Sequence, residues 1–159
     1  MKPVNQPSTG FTLLELMIVV TIVSLVTAIG VPAMKGMAKN STAKRIAGLV
    51  ELDLKFARSS AISMAQRIEI LPVDSDSKNG WQVRIESTKE VLKQRGELPD
   101  GVTLTAAGAM PIVFTPTGQV EAKTTLTLRT SGCTGDEDKL YTLLASGQLT
   151  TKELACITK

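Results

Sequence analysis

From Phe11 to Val31 the chain runs for 21 residues with one charged side chain, Glu15, and this lone carboxylate in an apolar run constrains everything that follows. As a helix the run is about 31 Å long, enough to cross a hydrocarbon core of about 30 Å. Beyond the first turn only Thr21, Ser24 and Thr27 interrupt it, so it has no wide polar face and must be buried in lipid or among other helices. A cleaved secretory signal is one reading, but Val31-Pro32-Ala33-Met34-Lys35 is a poor cleavage site. A permanent single-span anchor fits the length and leaves Glu15 unexplained.

A carboxylate one turn inside such a run costs about 2.5–3.5 kcal/mol, so it needs a partner or an exit. The nearest basic residue on the C-terminal side is Lys35, too far along the helix to reach. One resolution is snorkelling to the headgroups near the helix end. The other is a cation from a second subunit: a cut after Gly10 would give Phe11 a new α-amino group that a neighbour's Glu15 could pair. Pro32, with Gly30 and Gly36 beside it, weakens the helix, and a kink or a locally melted turn is expected at 30–36. A plain helix end at the membrane surface is the competing reading.

After Pro32 the pattern becomes amphipathic. Ile46, Leu49, Val50, Leu54, Ala57, Ala61 and Met64 share one side, and Lys44, Glu51, Lys55 and Arg58 lie opposite. Asp53 falls inside the apolar stripe, either as a buried polar contact or at the stripe's edge. The helix is expected to run to about Gln66, roughly 84 Å from Phe11. Gly80–Glu86 then alternates, with Trp81, Val83 and Ile85 on one face. Further short strands are expected at 67–72, 90–94, 102–105, 111–114, 119–121, 124–130, 140–145, 148–151 and 154–157. The fold class is α+β: a long helix packed on an antiparallel sheet or two small sheets.

The chain of 159 residues has room for one ordinary domain and contains no histidine, which removes imidazole acid/base chemistry, His triads and His-containing zinc sites. Two cysteines cannot form a four-cysteine metal site. Asp74–Gly80 lacks the downstream bidentate Glu of a calcium loop and reads as a solvated turn. No nucleophile motif, phosphate loop or metal spacing accompanies the remaining Ser, Lys and carboxylates. The expectation is a protein that is not an enzyme, with no cofactor, no metal and no small-molecule substrate.

Gly10-Phe11-Thr12-Leu13-Leu14-Glu15 and the apolar run after it resemble the class III signal of type IV pilins and type II secretion pseudopilins, and Pro32 falls where pilins commonly carry proline. Ala57-Arg58-Ser59-Ser60-Ala61-Ile62, Gly80-Trp81 and Phe114-Thr115-Pro116-Thr117-Gly118 resemble the "ARSEAI", "GW" and "FTPxG" segments of the GspH/FimT family of minor pilins and pseudopilins, with Ser60 in place of the usual Glu. The resemblance implies a pilin fold with a leader at 1–10, a membrane or filament-core helix at 11–34, an amphipathic helix at 35–66 and a β-rich head at 67–159. It implies cleavage after Gly10 by a prepilin peptidase, N-methylation of Phe11, and Glu15 as the assembly residue. It also implies a head folded outside the cytoplasm, where Cys133 and Cys156 form a disulfide rather than staying as two thiols.

The implied function is that of a minor pilin in a tip or priming complex that initiates a type IV pilus for twitching, adhesion or DNA uptake. The alternative is the minor pseudopilin H of a type II secretion system. The implied partners are other minor pilins, the major pilin, the peptidase and the inner membrane, with the head in the periplasm before assembly. A third reading is direct DNA capture, as in family members with a basic GRxR-type motif. This chain has Ser146-Gly147-Gln148-Leu149-Thr150-Thr151-Lys152 there, with only Lys152 and Lys159 near the end. Glu153 and the run Asp136-Glu137-Asp138 oppose phosphate, so direct binding of nucleic acid is not expected. The charge is also divided: residues 35–67 carry seven basic and two acidic side chains, whereas residues 68–159 carry ten and twelve, making a basic stem suited to lipid headgroups or acidic neighbours. Gly10→Val is expected to block leader removal; an unchanged mature size on immunoblot would refute the cut site.

Overall fold

The computed structural model describes residues 11–157. The leader expected at 1–10, with Gly10, and Lys159 lie outside the described residues. The chain divides into two compact units, Met1–Lys35 and Gly36–Lys159. Helix α1, Leu13–Met64, contributes to both. It starts where the Thr12 hydroxyl accepts the Glu15 N–H at 3.2 Å, satisfying one of the unpaired donors of the first turn. The helix is unbroken through Pro32. The melted turn allowed for at 30–36 is therefore not adopted, because the loss of one N–H in a long helix leaves the neighbouring turns paired.

In the second unit, α1 buries Ala43, Ile46, Ala47, Val50, Leu54, Ala57 and Ala61 along one stripe. Leu49 packs at its margin. Met64 is exposed, unlike the expectation, because the chain leaves the helix axis immediately after it. Ala65 takes a left-handed φ of 50°. The Gln66 N–H bonds back to the Ala61 carbonyl at 3.2 Å, and the Ala65 N–H to that of Ile62 at 3.4 Å, the paired bonds of a Schellman stop.

Eight strands follow: β1 Ile68–Pro72, β2 Trp81–Ile85, β3 Val91–Gln94, β4 Val102–Gly108, β5 Ile112–Phe114, β6 Thr124–Thr130, β7 Asp138–Leu143 and β8 Leu149–Leu154. They form two antiparallel four-stranded sheets, β3-β2-β1-β5 and β4-β6-β7-β8. In the first, Ile68 stands opposite Ile85 and Phe114, and Ile70 opposite Val83 and Ile112, which brings these apolar side chains onto one face. Leu126, Leu128, Tyr141 and Leu143 of the second sheet join the same core, with the α1 stripe.

Several expected strands differ: 140–145 is shifted to Asp138–Leu143, and 148–151 extends to Leu154. Residues 119–121 make only an isolated bridge, Val120 to Phe114. Strand 102–105 extends to Gly108 because β6 pairs with it along its whole length. Residues 155–157 leave the sheet, since the Cys156 N–H bonds to the Gly135 carbonyl at 2.8 Å instead of to a ladder partner.

The left-handed stop at Ala65 identifies a position where glycine fits better than the native residue. Ala65→Gly is expected to raise stability by about 0.5–1 kcal/mol, with relief of the Cβ clash partly offset by the freer unfolded chain. Urea unfolding of the mature chain in detergent, followed by Trp81 fluorescence, measures it.

Candidate functional site

Leu13–Gly30 of α1 is long and apolar enough to cross a membrane, with mean hydropathy 2.4 over 18 residues. Its large apolar side chains are exposed in the isolated chain, from Leu13 at 77% through Ile29 at 75%. The hydroxyls of Thr21, Ser24 and Thr27 bond back to the carbonyls of Met17, Val20 and Val23 at 2.7–2.8 Å. The polar atoms in the middle of the run are thus satisfied by its own backbone, and its outer surface offers a neighbour hydrocarbon alone. Glu15 stands in the first turn, where the partial positive charge of the helix start favours it. Among the described residues no cation reaches its carboxylate.

The head is fastened to α1 by buried polar contacts. Asp53 is 1% exposed. It accepts the Trp81 Nε1–H of β2 at 3.0 Å, and it receives both Arg95 Nε (2.7 Å) and Arg95 Nη2 (3.0 Å). Lys93 of β3 adds its ammonium at 2.8 Å and lies over the Phe56 ring. Burial acts to raise the Asp53 pKa, but the hydrogen bonds and charges of Arg95, Lys93 and Trp81 together hold it below the ordinary carboxylate value. On the second sheet, Tyr141 of β7 donates to the Ala47 carbonyl at 2.9 Å, and burial pushes its phenol pKa up.

The turn segments are gathered by Arg58. Its Nε donates to the Gly118 carbonyl at 2.9 Å and its Nη2 to the Ser146 carbonyl at 3.2 Å. Gly147, at φ 75°, lies so close that an added Cβ would stand 1.8 Å from the Gly118 oxygen. The "ARSEAI"-like and "FTPxG"-like segments are therefore two halves of one contact, a side chain on α1 and the backbone of a turn. Arg67 at the foot of α1 pairs with Glu86 and Glu121, and its guanidinium holds the Glu86 pKa down.

Cys133 and Cys156 are joined as a disulfide across 23 residues of chain, with Cα atoms 5.6 Å apart. On the chain-entropy account such a closure is worth about 3 kcal/mol. Asp138 lies near the two sulfur atoms; because these are bonded to each other, neither is a thiolate that could join the carboxylate in holding a metal. Asp138 itself is fully buried, accepting the Thr130 N–H at 2.8 Å and pairing with Arg129 at 3.1 Å. It does not belong to a surface acidic run, contrary to the reading of 136–138 as one repelling patch.

Of the residues singled out from sequence, Gly10 lies outside the described residues, Phe11 precedes the helix, Glu15 is exposed and Pro32 lies within α1. The kink at Pro32 remains an expectation. Asp53 is the residue most undervalued by its sequence position, since edge placement was one reading and full burial is the outcome. Its signal was indirect: an indole N–H on a buried strand face needs an acceptor, and Lys93 of the next strand and Arg95 just after it follow. The Asp74–Gly80 segment forms two short 3₁₀ turns in which the Asp76 side chain accepts the Lys78 N–H at 2.9 Å.

Residues 47–148 match the family of the type II transport protein GspH, and residues 6–31 match the prokaryotic N-terminal methylation motif. The fold is similar to the type IV minor pilin FimU of Pseudomonas aeruginosa in one crystal form, with TM-score 0.53 and 15% identity over 79% of this chain and 97% of that one. A second crystal form of FimU gives TM-score 0.52 and 19% identity, over 74% and 98% of the two chains. The minor pseudopilin EpsH from the type 2 secretion system of Vibrio cholerae gives TM-score 0.52 and 22% identity, over 71% and 96%. A comparison with curated protein sequences finds no match.

The Asp53 network makes a signed prediction. Its folded carboxyl titrates below the ordinary 3.8, so its contribution is complete above that value and is lost as pH falls through the lower folded value. Asp53→Asn is expected to lower stability by about 3 kcal/mol at pH 7, leaving Arg95 and Lys93 without their counter-charge. The gap between the two proteins should begin to close below about pH 4 and shrink further as pH falls through the folded value; a gap independent of pH in urea titrations would assign Asp53 a packing role only.

Proposed function

The chain belongs to the GspH family, and from that membership we propose that it is a minor pilin of a type IV pilus, a structural subunit of the tip complex that primes pilus assembly. The observation that carries this reading is the pairing of a GspH head with an exposed apolar helix whose only charge, Glu15, has no cation among the described residues. Such a helix is stable in lipid and equally stable against copies of its own kind, because its central hydroxyls are bonded internally. Prepilin peptidase cuts after Gly10, Phe11 is N-methylated, and the new amine of one subunit meets Glu15 of another as the helix leaves the inner membrane. A kink at Pro32 lets the helix adjust to its neighbours. The head lies in the periplasm until the filament takes it up, and its contacts are with other minor pilins and the major pilin. It performs no turnover: the work is mutual burial of apolar helices, which outside the bilayer keeps apolar surface from water at about 25 cal/mol per Å², with one ion pair setting the register.

The second reading is a minor pseudopilin of a type II secretion system, favoured by the family's description as type II transport protein and by the likeness to EpsH. Both readings use the same helix chemistry, and gene neighbours separate them: further minor pilins with a large adhesin, or a secretion operon. Direct DNA capture is not favoured, since the turn at 144–148 carries no arginine and its Ser146 carbonyl is held by Arg58.

Glu15→Ala is expected to leave leader cleavage and the head intact while reducing recovery of the subunit in sheared filaments at least tenfold. Wild-type recovery of the variant would remove Glu15 from assembly.

A further inference from the structure

From Gly36 to Thr42, α1 buries no side chain, and its apolar stripe starts only at Ala43. Polar contacts therefore carry the attachment of these turns to the head. Most come from loop 131–137, which joins β6 to β7. The Asn40 side-chain carbonyl accepts the Thr134 N–H at 2.9 Å, and its amide donates to the Thr134 hydroxyl at 3.0 Å. One turn on, Lys44 pairs with Glu137 at 3.1 Å. Lys39 adds a bond to the Asp100 carbonyl at 3.3 Å, outside the loop.

The loop is poorly equipped to hold its own shape. Ser131-Gly132-Cys133-Thr134-Gly135-Asp136-Glu137 lies outside the β-ladders, and Gly132 and Gly135 take φ of 77° and 75°. Glycines at these points leave a backbone that many conformations suit. Its start is fixed where the Ser131 N–H meets the Gly101 carbonyl at 2.7 Å. Its middle is fixed through Cys156, by the disulfide to Cys133 and by the Cys156 N–H, which donates to the Gly135 carbonyl at 2.8 Å. Thr134, the residue that grips Asn40, stands between these two ties.

The two sulfur atoms are not equivalent. Cys133 is 1% exposed, whereas Cys156 is partly exposed between Ala155 and Ile157, both open to solvent. Beside the buried sulfur stands the Asp138 carboxylate, its Oδ1 3.6 Å from Cys133 Sγ. The Thr130 N–H holds that oxygen at 2.8 Å, and Arg129 holds the other at 3.1 Å. An incoming thiolate thus has a path to Cys156, and a thiol formed at Cys133 has an acceptor for its S–H.

We propose that the Cys133–Cys156 bond is a thiol-exchange site entered at Cys156, and that opening it releases loop 131–137 from α1. An external thiolate attacks Cys156 Sγ and forms a mixed disulfide there. The electron pair of the broken bond goes to Cys133 Sγ, which takes the proton given up by the attacking thiol and donates it in a hydrogen bond to Asp138. A second external thiol attacks the adduct's own sulfur and passes its proton to Cys156. Two external thiols are thereby oxidised to one disulfide, and the cysteine pair gains two electrons and two protons. Without the bond Thr134 loses its fixed place opposite Asn40. The clasp lies wholly within the unit Gly36–Lys159, so it is independent of which assembly takes up the subunit.

The probe is reduced glutathione, added to the oxidised mature chain in detergent and quenched with iodoacetamide. Mass spectrometry of early time points is expected to find glutathione on Cys156 with carbamidomethyl on Cys133, at least tenfold in excess of the opposite pattern. In the fully reduced chain the Thr134 amide is expected to exchange hydrogen at least tenfold faster than in the oxidised one, with the amides of β1 still at least tenfold slower than Thr134. Asn40→Ala with the disulfide intact is expected to speed Thr134 exchange to a similar degree. Reduction of that variant should then add less than twofold, because both changes break the same contact. Equal adducts on the two cysteines, or no adduct at millimolar glutathione, overturn the proposal. Thr134 exchange that reduction leaves unchanged overturns it as well. Exchange of Thr134 and β1 at one rate, or loss of the head's circular dichroism on reduction, makes the bond a staple of the whole head and overturns the clasp.

Discussion

The head depends on one strip of helix. Both sheets close on the α1 stripe from Ala43 to Ala61, and its shape is set by side-chain size: alanines at 43, 47, 57 and 61, with Ile46, Val50 and Leu54 between. Small residues toward both ends and larger ones between give the stripe its relief, against which the apolar side chains of both sheets pack. The same helix continues into a segment whose large side chains are apolar and exposed, with Glu15 its one charge. A single helix thereby meets two solvents, and the boundary between its roles is a change of side chains with no break in the backbone.

Burial alone does not fix a sheet's angle on a helix, because apolar contact is non-directional. Direction comes from the chain's only tryptophan and only tyrosine. Trp81 ties the first sheet to Asp53, and Tyr141 ties the second to the Ala47 carbonyl, six residues earlier on the same stripe. Arg58 adds the two turns at Gly118 and Ser146. Each tie buries a polar atom that is costly to leave unpaired, so each specifies one arrangement of its sheet.

Period and punctuation made much of this legible in the sequence. The stripe from Ile46 to Ala61 and the alternation of Trp81, Val83 and Ile85 were visible because both patterns repeat at the period of the element that forms. Glu15 was conspicuous because nothing else in its run is charged. Asp53 was not legible, since its partners Lys93 and Arg95 lie some forty residues on, and pairing at that range depends on β3 reaching the helix. Asp138 was misread for the same reason: in sequence it closes an acidic run, and in space it faces Arg129 and the Thr130 N–H. Met64 was misplaced because the helix stop depends on Ala65 adopting a positive φ, which composition does not announce.

The basic stem looks different once its partners are known. Lys44 meets Glu137, Lys55 meets Glu51, and Arg67 meets Glu86 and Glu121, while Arg58 and Lys39 point at backbone carbonyls. Four of the head's and stem's own carboxylates thus cancel much of the field that seven basic residues would project. Exposed pairs of this kind hold weakly, near 0–1 kcal/mol each, so Lys44 and Lys55 can exchange partners when an acidic surface arrives. Arg58 cannot do so without releasing both turns. The stem's charge therefore serves two ends of different rigidity: a fixed part that shapes the head, and a loosely held part, joined by Arg45, that is available to a headgroup or a neighbouring subunit.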